Sequence, residues 1–156
     1  MEANYRILSK NRNGICLVKA SQNKFPWLLS TRMQPIIVSH LEEFCLDPFA
    51  NFAIQQLLEQ RSESHTSFFT GKILPSQFAT LSMNKFASNV LDKVIKNCTK
   101  QNISALLNHL GSDADEQGIE LGALRELVLS QFGNFPLQKL LNEALNYGDE
   151  GIKQSL

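Results

Sequence analysis

The sequence predicts an all-α fold in which helical repeats stack one on the next, an α-solenoid. A pattern that begins at Phe49 returns at Phe86 and again at Phe132, with apolar residues at matching positions. The segments between these copies carry apolar residues three and four positions apart, which is the spacing of one helix face. No stretch shows a convincing strand alternation. The 156 residues, 43% of them hydrophobic, suit one domain over 1–156.

The copies follow a regular spacing with one insertion. A weaker copy around Gly14 has lost the polar positions of the others, so we interpret it as a degenerate first repeat. If Gly14 corresponds to Asn51, the same interval separates Asn51 from Ser88. The interval from Ser88 to Asn134 is longer, and we assign the extra residues to a polar, glycine-bounded loop at 111–118. About four repeats are expected, with cores near 10–24, 47–60, 84–98 and 130–146.

Helical segments are predicted between the copies, so each repeat should contain at least two helices. Their apolar positions follow the i, i+3, i+4 pattern of an amphipathic helix. These positions are Ile36, Ile37, Leu41 and Phe44; Ile73, Leu74 and Phe78; Ile103, Leu106, Leu107 and Leu110; and Leu121, Leu124 and Leu127.

The start of the helix in each later copy carries its own signal. Asp47, Asn84 and Ser130 each lie four residues before the first polar position of their copy. All three are residue types that cap a helix by accepting a hydrogen bond from a free backbone N–H. Pro136 would break a helix interior, so either it lies in the first turn or its helix begins nearer to Asn134.

Matching apolar positions are predicted to form the core between stacked repeats. Small residues at Ala50, Ala87 and Gly133 suit close contact between neighbouring helices. These positions explain the fold and say little about function. The predicted core residues are Phe49, Ile54, Leu57 and Leu58; Phe86, Leu91, Val94 and Ile95; and Phe132, Leu137, Leu140 and Leu141.

Three positions in each copy vary in a way that the core does not require, and we call each set a triplet. On a helix the first and third members, four residues apart, point the same way, and the second lies about 100° around the axis. Repetition along a solenoid would suit a periodic polymer with edges to recognise and flat faces to stack. The triplets are triplet 51 (Asn51, Phe52, Gln55), triplet 88 (Ser88, Asn89, Asp92) and triplet 134 (Asn134, Phe135, Gln138).

These segments resemble the RNA-binding helices of the Pumilio/FBF (PUF) repeat family, specifically the last three repeats of such a domain. The resemblance rests on Phe-Ala-Asn-Phe-Ala-Ile-Gln at 49–55, Lys-Phe-Ala-Ser-Asn-Val-Leu-Asp-Lys at 85–93 and Phe-Gly-Asn-Phe-Pro-Leu-Gln-Lys at 132–139. It covers essentially the whole chain and implies a right-handed superhelix. In that fold the first and third triplet residues contact the edge of one RNA base, and the second stacks on it.

The resemblance implies a recognised sequence. The paired amides of triplets 51 and 134 suit uracil, and Phe52 and Phe135 suit stacking, whereas Asn89 would be the stacking residue of triplet 88. In triplet 88 the family's guanine-recognising glutamate is replaced by Asp92, so guanine is preferred and adenine stays open. Because RNA runs antiparallel to the protein in this family, the expected order is U-(G or A)-U. Gly14, Ile15 and Val18 offer no base-recognising group.

The charge pattern gives only local support for RNA binding. The net charge is +0, so any nucleic-acid contact must rest on a local surface. Lys85, Lys93 and Lys139 flank the triplets and could contact phosphates, although they could equally be ordinary surface lysines.

The remaining sequence features favour a binding protein that is not an enzyme. Three widely separated cysteines, Cys16, Cys45 and Cys98, suit reduced core residues of an intracellular protein. No leader or membrane-length apolar run is present. His40, His65 and His109 have no metal-ligand spacing, so neither a metal nor a cofactor is expected.

Two functions remain open at this point. The first is a cytoplasmic PUF-type regulator, as a piece of a longer domain, which binds the 3′ untranslated regions of messenger RNA and recruits deadenylation or repression proteins, with no affinity for DNA or membranes. The second is a helical-repeat scaffold that binds a protein, or structured RNA without base selection. The neutral charge, the blank first copy and the acidic insertion favour the second.

Overall fold

The computed structural model describes residues 2–59, 69, 77–112 and 122–153. Within these residues every regular element is a helix, which confirms the predicted all-α solenoid. A π-helix at Leu29–Met33 connects the third and fourth α-helices. The α-helices are α1 (Glu2–Ser9), α2 (Gly14–Lys24), α3 (Pro26–Leu28), α4 (Gln34–Ser39), α5 (Leu41–Leu46), α6 (Asn51–Glu59), α7 (Phe78–Ser82), α8 (Ala87–Lys96), α9 (Lys100–Ser112), α10 (Gly122–Leu129) and α11 (Asn134–Lys153).

The repeated motif lies on the helices α2, α6, α8 and α11, which we call the motif helices. They pack in series, α2 on α6, α6 on α8, and α8 on α11. Each is backed by the helix that precedes it in its repeat, since α1 packs on α2, α5 on α6, α7 on α8 and α10 on α11. This two-layer stack is the arrangement in which each repeat buries its apolar face against the next.

The three predicted helix caps are confirmed. Asp47 Oδ1 accepts hydrogen bonds from the backbone N–H groups two and three residues ahead, both at 2.8 Å. Asn84 Oδ1 does the same at 2.8 and 3.1 Å, and Ser130 Oγ at 3.3 and 3.1 Å. Pro136 is the third residue of α11, so its missing donor falls in the first turn, where no intrahelical bond is lost.

The first repeat has a cap that the sequence interpretation missed, and this corrects its register. Asn11 Oδ1 accepts hydrogen bonds from the backbone N–H groups of Asn13 and Gly14, at 2.9 and 3.0 Å. Asn11 therefore occupies the position of Asp47, which makes Gly14 the counterpart of Ala50 and not of Asn51. Glycine is required at this position because a Cβ on Gly14 would collide with the backbone oxygen of Leu8.

Inside the motif helices the core follows the predicted stripes with one exception. The phenylalanines that precede these helices, Phe49, Phe86 and Phe132, were also predicted to be core but are only half-buried. The stripe positions of α6 and α8 are fully buried, and Leu137 and Leu140 of α11 are also buried. Leu141 was predicted to be core, but 46% of its surface is exposed, and the prediction is wrong. It lies on the last motif helix, where no following motif helix of the described chain covers it.

Small residues permit the close helix contacts that were expected of them. Ala50 and Ala87 are completely buried. At Gly133 a Cβ would approach Leu127 and Ser130 to 3.1 Å, tighter than ordinary van der Waals contact.

The expected insertion is partly outside the described residues. Gly111 and Ser112, its first two residues, still belong to α9, and residues 113–118 are not described. The helix-forming apolar positions Ile73, Leu74 and Leu121 are not described either. In the part of the chain that the structure describes, no helix is long and apolar enough to cross a membrane.

The cysteines divide into two classes. Cys45 and Cys98 are buried, and burial raises the pKa of each thiol to about 12, so both are inert thiols of the core. Cys16 is exposed, so the prediction that it belongs to the core is wrong. In the corrected register it stands at the exposed position of Phe52.

Candidate nucleic-acid interface

The three triplets lie in a row on successive motif helices. Because α6, α8 and α11 share one register and pack in series, corresponding triplet positions follow one another across the stack. The second triplet residue is exposed in every case, with Phe52 42% and Phe135 64% exposed. The first residue lies deeper, since only 1% of Asn51 and 8% of Ser88 is exposed. Each triplet thus sets an exposed side chain beside a recessed polar one.

Triplet 51 is internally hydrogen-bonded. Asn51 Nδ2 donates to the backbone oxygen of Asp47 at 2.8 Å, which fixes the orientation of the amide. Gln55 Nε2 donates to Asn51 Oδ1, also at 2.8 Å. An amide has two N–H donors and one oxygen acceptor, so Gln55 keeps a second N–H and its oxygen for a ligand.

Triplet 134 begins in the same way but lacks the second bond. Asn134 Nδ2 donates to the backbone oxygen of Ser130 at 3.0 Å. Asn134 Oδ1 is buried and has no hydrogen-bond partner among the described residues. Gln138 is exposed. A buried acceptor without a donor is costly, so this site is prepared to accept an N–H from a ligand.

Triplet 88 presents acceptors. Ser88 Oγ donates its proton to the backbone oxygen of Lys85 at 3.1 Å, so its lone pairs remain available. Asn89 Nδ2 donates to the same oxygen at 3.1 Å. Asp92 is exposed, and an ionised carboxylate only accepts hydrogen bonds. The two edge-facing groups of this triplet therefore match a ligand edge that carries donors.

Two lysines expected to meet phosphates are engaged in ion pairs. Lys93 Nζ lies 2.8 Å from Glu59 Oε1, which links α8 to α6. Lys139 Nζ lies 2.8 Å from Glu143 Oε1 on the same helix. This hydrogen bond raises the pKa of Lys139, and the same contact lowers the pKa of Glu143.

Lys85 makes a different contact from the other two. Its Nζ lies 5.9 Å from the centroid of the Phe86 ring, a cation–π distance. The role of all three lysines in phosphate binding stays a prediction.

The corrected register supplies a fourth triplet that the sequence interpretation missed. Its members are Ile15, Cys16 and Lys19, in place of the expected Gly14, Ile15 and Val18. Ile15 and Val18 are buried, with 5% and 3% of their surface exposed, whereas Cys16 is exposed and Lys19 half-buried. The capping residue type at Asn11 was the sequence signal that could have shown this register.

The described residues offer no metal site. They contain no group of three or more histidine, cysteine, aspartate or glutamate side chains placed to hold an ion. His40 instead lies 2.9 Å from Glu2 and 3.2 Å from Glu43, and His65 lies outside the described residues.

The family model for the Pumilio-family RNA binding repeat matches residues 40–73 and 77–110. These segments contain the caps and motif helices of triplets 51 and 88. Two of the repeats of this chain are thus PUF repeats. The repeats that carry triplets 51 and 88 are the two that the model matches, and the first and last motif helices lie outside its matched ranges.

Curated relatives support the same family. The chain is 26% identical over 140 residues to Pumilio homology domain family member 4 of Saccharomyces cerevisiae, covering 86% of this chain and 15% of that protein. It is 24% identical to Pumilio homolog 12 of Arabidopsis thaliana, covering 88% of this chain and 22% of the relative. The chain thus spans less than a quarter of the length of either relative.

Solved structures share the fold. The RNA-binding domain of yeast Puf5p bound to SMX2 RNA superposes with a TM-score of 0.71 at 19% identity, covering 86% of this chain and 37% of that one. The Puf4 RNA-binding domain bound to an HO endonuclease RNA 3′ UTR recognition sequence gives 0.65 at 21% identity, covering 95% and 44%. The PUF solenoid is therefore the fold of this chain.

Proposed function

We propose that this PUF-repeat chain binds single-stranded RNA and recognises U-(G or A)-U, one base per repeat. The observation that carries the proposal is the row of three triplets on α6, α8 and α11, each with a recessed polar group beside an exposed side chain. The likeness to RNA-binding PUF repeats and to structures solved with RNA supports it.

Uracil suits the two amide triplets. Its pairing edge presents an acceptor, a donor and a second acceptor, and the amides offer N–H donors and an oxygen acceptor. Asn134 Oδ1 has no hydrogen-bond partner among the described residues and would accept the uracil N3–H. Phe52 and Phe135 supply exposed rings for stacking, which is worth about 1–3 kcal/mol per base.

Triplet 88 suits a purine that donates. Because the Ser88 hydroxyl donates its hydrogen bond to the Lys85 carbonyl, Ser88 and Asp92 both face the ligand as acceptors. Guanine places two adjacent donors, N1–H and N2–H, on its pairing edge, and adenine places one amino group there. Guanine is therefore the first choice at this repeat, and adenine the second.

The proposed biological role is post-transcriptional. Binding to a 3′ untranslated region would tether this chain, with the longer protein of which it could be a part, to a messenger RNA in the cytoplasm and change its stability or translation. Deadenylation and repression proteins are the proposed partners for that step. No catalytic chemistry is needed for this function.

The direct test is equilibrium binding by fluorescence anisotropy. Labelled RNAs that contain UGU or UAU are expected to bind more tightly than a scrambled RNA of the same composition. Replacing both Asn134 and Gln138 with alanine is expected to reduce that preference. Equal affinities for matched and scrambled RNA would refute base selection.

A helical-repeat scaffold without base selection is the alternative, and one observation favours it. Lys93 and Lys139 near the triplets are paired with carboxylates, and the net charge is +0, so the electrostatic attraction for RNA is small. A scaffold that binds structured RNA would bind a hairpin RNA more tightly than the scrambled single strand. A protein-binding scaffold would bind neither.

A further inference from the structure

The first repeat carries a polar side chain in the position of an edge-recognising residue. Asn11 caps the turn before α2 as Asp47 caps the turn before α6. Counting from these caps, Lys19 stands where Gln55 stands in the next repeat. The exposure pattern agrees, because Val18 and Ile54 are buried while Lys19 and Gln55 are half-buried.

Lys19 also reaches the neighbouring triplet. Its Nζ lies 5.4 Å from the centroid of the Phe52 ring, a cation–π contact between the first and second repeats. Phe52 is the exposed ring proposed to stack on the base of triplet 51. The ammonium group thus lies over the ring that is proposed to stack on this base, on the side of the first repeat.

The contacts of Lys19 differ from those of Lys93 and Lys139 and resemble that of Lys85, which also lies over an aromatic ring. Lys93 and Lys139 each hold a carboxylate at 2.8 Å. In the described part of the chain no carboxylate lies within ion-pair distance of Lys19. Its three N–H donors face only an aromatic ring, which a ligand acceptor can replace or join.

We propose that Lys19 recognises a fourth nucleotide, the one that follows U-(G or A)-U on its 3′ side. The first repeat is then a recognition repeat with a single donor group and not a blank one. This inference rests on the proposed function, because it extends the same row of triplets by one repeat.

The chemistry of the ammonium group indicates which base it favours. An ammonium donates and never accepts, and its neighbour in the triplet, Ile15, is apolar and buried. Cytosine presents two adjacent acceptors, N3 and O2, on its pairing edge, whereas uracil places a donor between its two acceptors. Adenine has one acceptor there and guanine has one. We therefore expect cytosine to be preferred at the fourth position.

The test compares RNAs that differ only at this position. The RNA is 5′-U-(G or A)-U-N-3′ in constant flanks, with the middle base chosen as the tighter binder of the two. N is cytosine, uracil, adenine, guanine or an abasic site. The proteins are the native chain, Lys19→Met, Lys19→Gln and the control Lys24→Met, a charge removal at an exposed lysine that ends the same helix.

The native chain is expected to bind the cytosine RNA about tenfold more tightly than the abasic RNA, the effect of one charge-assisted hydrogen bond. Lys19→Met keeps the aliphatic stem and should abolish this difference, and Lys19→Gln should reduce it. Lys24→Met should leave it unchanged. Urea unfolding of each variant confirms that the chain is folded, and the abasic comparison on the native chain needs no variant at all.

Two results would overturn the proposal. In the first, the native chain binds cytosine and abasic RNAs equally. In the second, Lys19→Met weakens both by the same factor, which makes Lys19 a phosphate contact. Failure of the proposed function itself is distinct, because the native chain would then show no preference for U-(G or A)-U over scrambled RNA.

Discussion

Triplets 51 and 134 contain the same residue types in the same order, Asn, Phe and Gln, yet they form different hydrogen bonds. In triplet 51 the glutamine donates to the asparagine oxygen at 2.8 Å. In triplet 134 that oxygen is buried and has no partner within the described part of the chain. Triplet 51 lies between motif helices on both sides, α2 and α8, whereas α11 is the last motif helix described. Identical residue types therefore do not make identical binding sites.

The side-chain oxygen of Asn51 thus accepts a hydrogen bond before a ligand binds, whereas the side-chain oxygen of Asn134 would gain one only from a ligand. Asn51 contributes to folding through two hydrogen bonds while only 1% exposed. Asn134 makes one such bond, and its side-chain oxygen is available to accept a hydrogen bond from a ligand. Stability should thus depend more on triplet 51, and base selectivity more on triplet 134.

The largest expected effect is on stability. Asn51→Ala removes a buried amide and leaves Gln55 and the Asp47 carbonyl without partners, so the free energy of unfolding should fall by about 2 kcal/mol. Asn134→Ala loses one bond but also removes an unsatisfied acceptor, so the loss should be below about 1 kcal/mol. Urea unfolding measures the free energy of unfolding of both variants. Equal losses would contradict the proposed difference between triplets 51 and 134.

The next largest expected effect is on the affinity for RNA. Replacing uridine with cytidine opposite triplet 134 should weaken binding about tenfold, because cytosine N3 carries no proton for Asn134 Oδ1. Opposite triplet 51 the same change should cost about threefold, since Asn51 Oδ1 already accepts from Gln55. Anisotropy titrations of the two singly substituted RNAs decide the order. A larger loss opposite triplet 51 would contradict this account.

The two stacking rings should also differ when no RNA is present. Phe52 contacts the ammonium of Lys19, and 42% of its surface is exposed, whereas Phe135 is 64% exposed. Phe52→Ala should lower the free energy of unfolding by about 0.5–1 kcal/mol, and Phe135→Ala by less than about 0.5 kcal/mol. Phe52→Leu serves as the control, because it removes the ring and keeps much of the apolar area.

The smallest expected effect concerns pH at the ion pairs that join Arg6 and Lys10 to Glu43 of α5. Hydrogen bonds from Lys10 and Arg6 lower the pKa of Glu43 to about 2. A lowered carboxyl pKa adds stability above the unfolded value near 4.5, and this stability is lost as the pH falls toward 2.

Glu43→Gln should therefore lower the free energy of unfolding by about 0.5 kcal/mol at pH 7, a value reduced by solvent screening of the partly exposed partners. The difference between the native chain and the variant should shrink toward zero as the pH approaches 2. Unfolding curves at pH 7, 4 and 3 measure it. A difference that stays constant with pH would show that the ion pairs are not its source.

Local signals allowed most of the fold to be predicted. Helix caps depend on a residue type a few positions from the helix start, so Asp47, Asn84 and Ser130 could be identified from the sequence. The buried stripes of α6 and α8 follow from helical periodicity. The same periodicity placed the three triplets in one register.

What could not be predicted depends on packing between repeats. The exposure of Leu141 depends on whether another helix covers it, which its own segment does not encode. The contact of Lys19 with Phe52 likewise depends on a neighbouring helix. The register of the first repeat, by contrast, could have been predicted from the capping residue Asn11.

Selection of bound RNA from a random pool is the most direct test of base recognition by the triplets, since it presupposes no sequence. The native chain should enrich U-(G or A)-U, with the 5′ uridine the most strongly selected position because it lies opposite triplet 134. Replacing Asn134 and Gln138 with alanine should remove selection at that uridine and leave the other positions. An unenriched pool, or a motif that this double variant leaves unchanged, would contradict base recognition by the triplets.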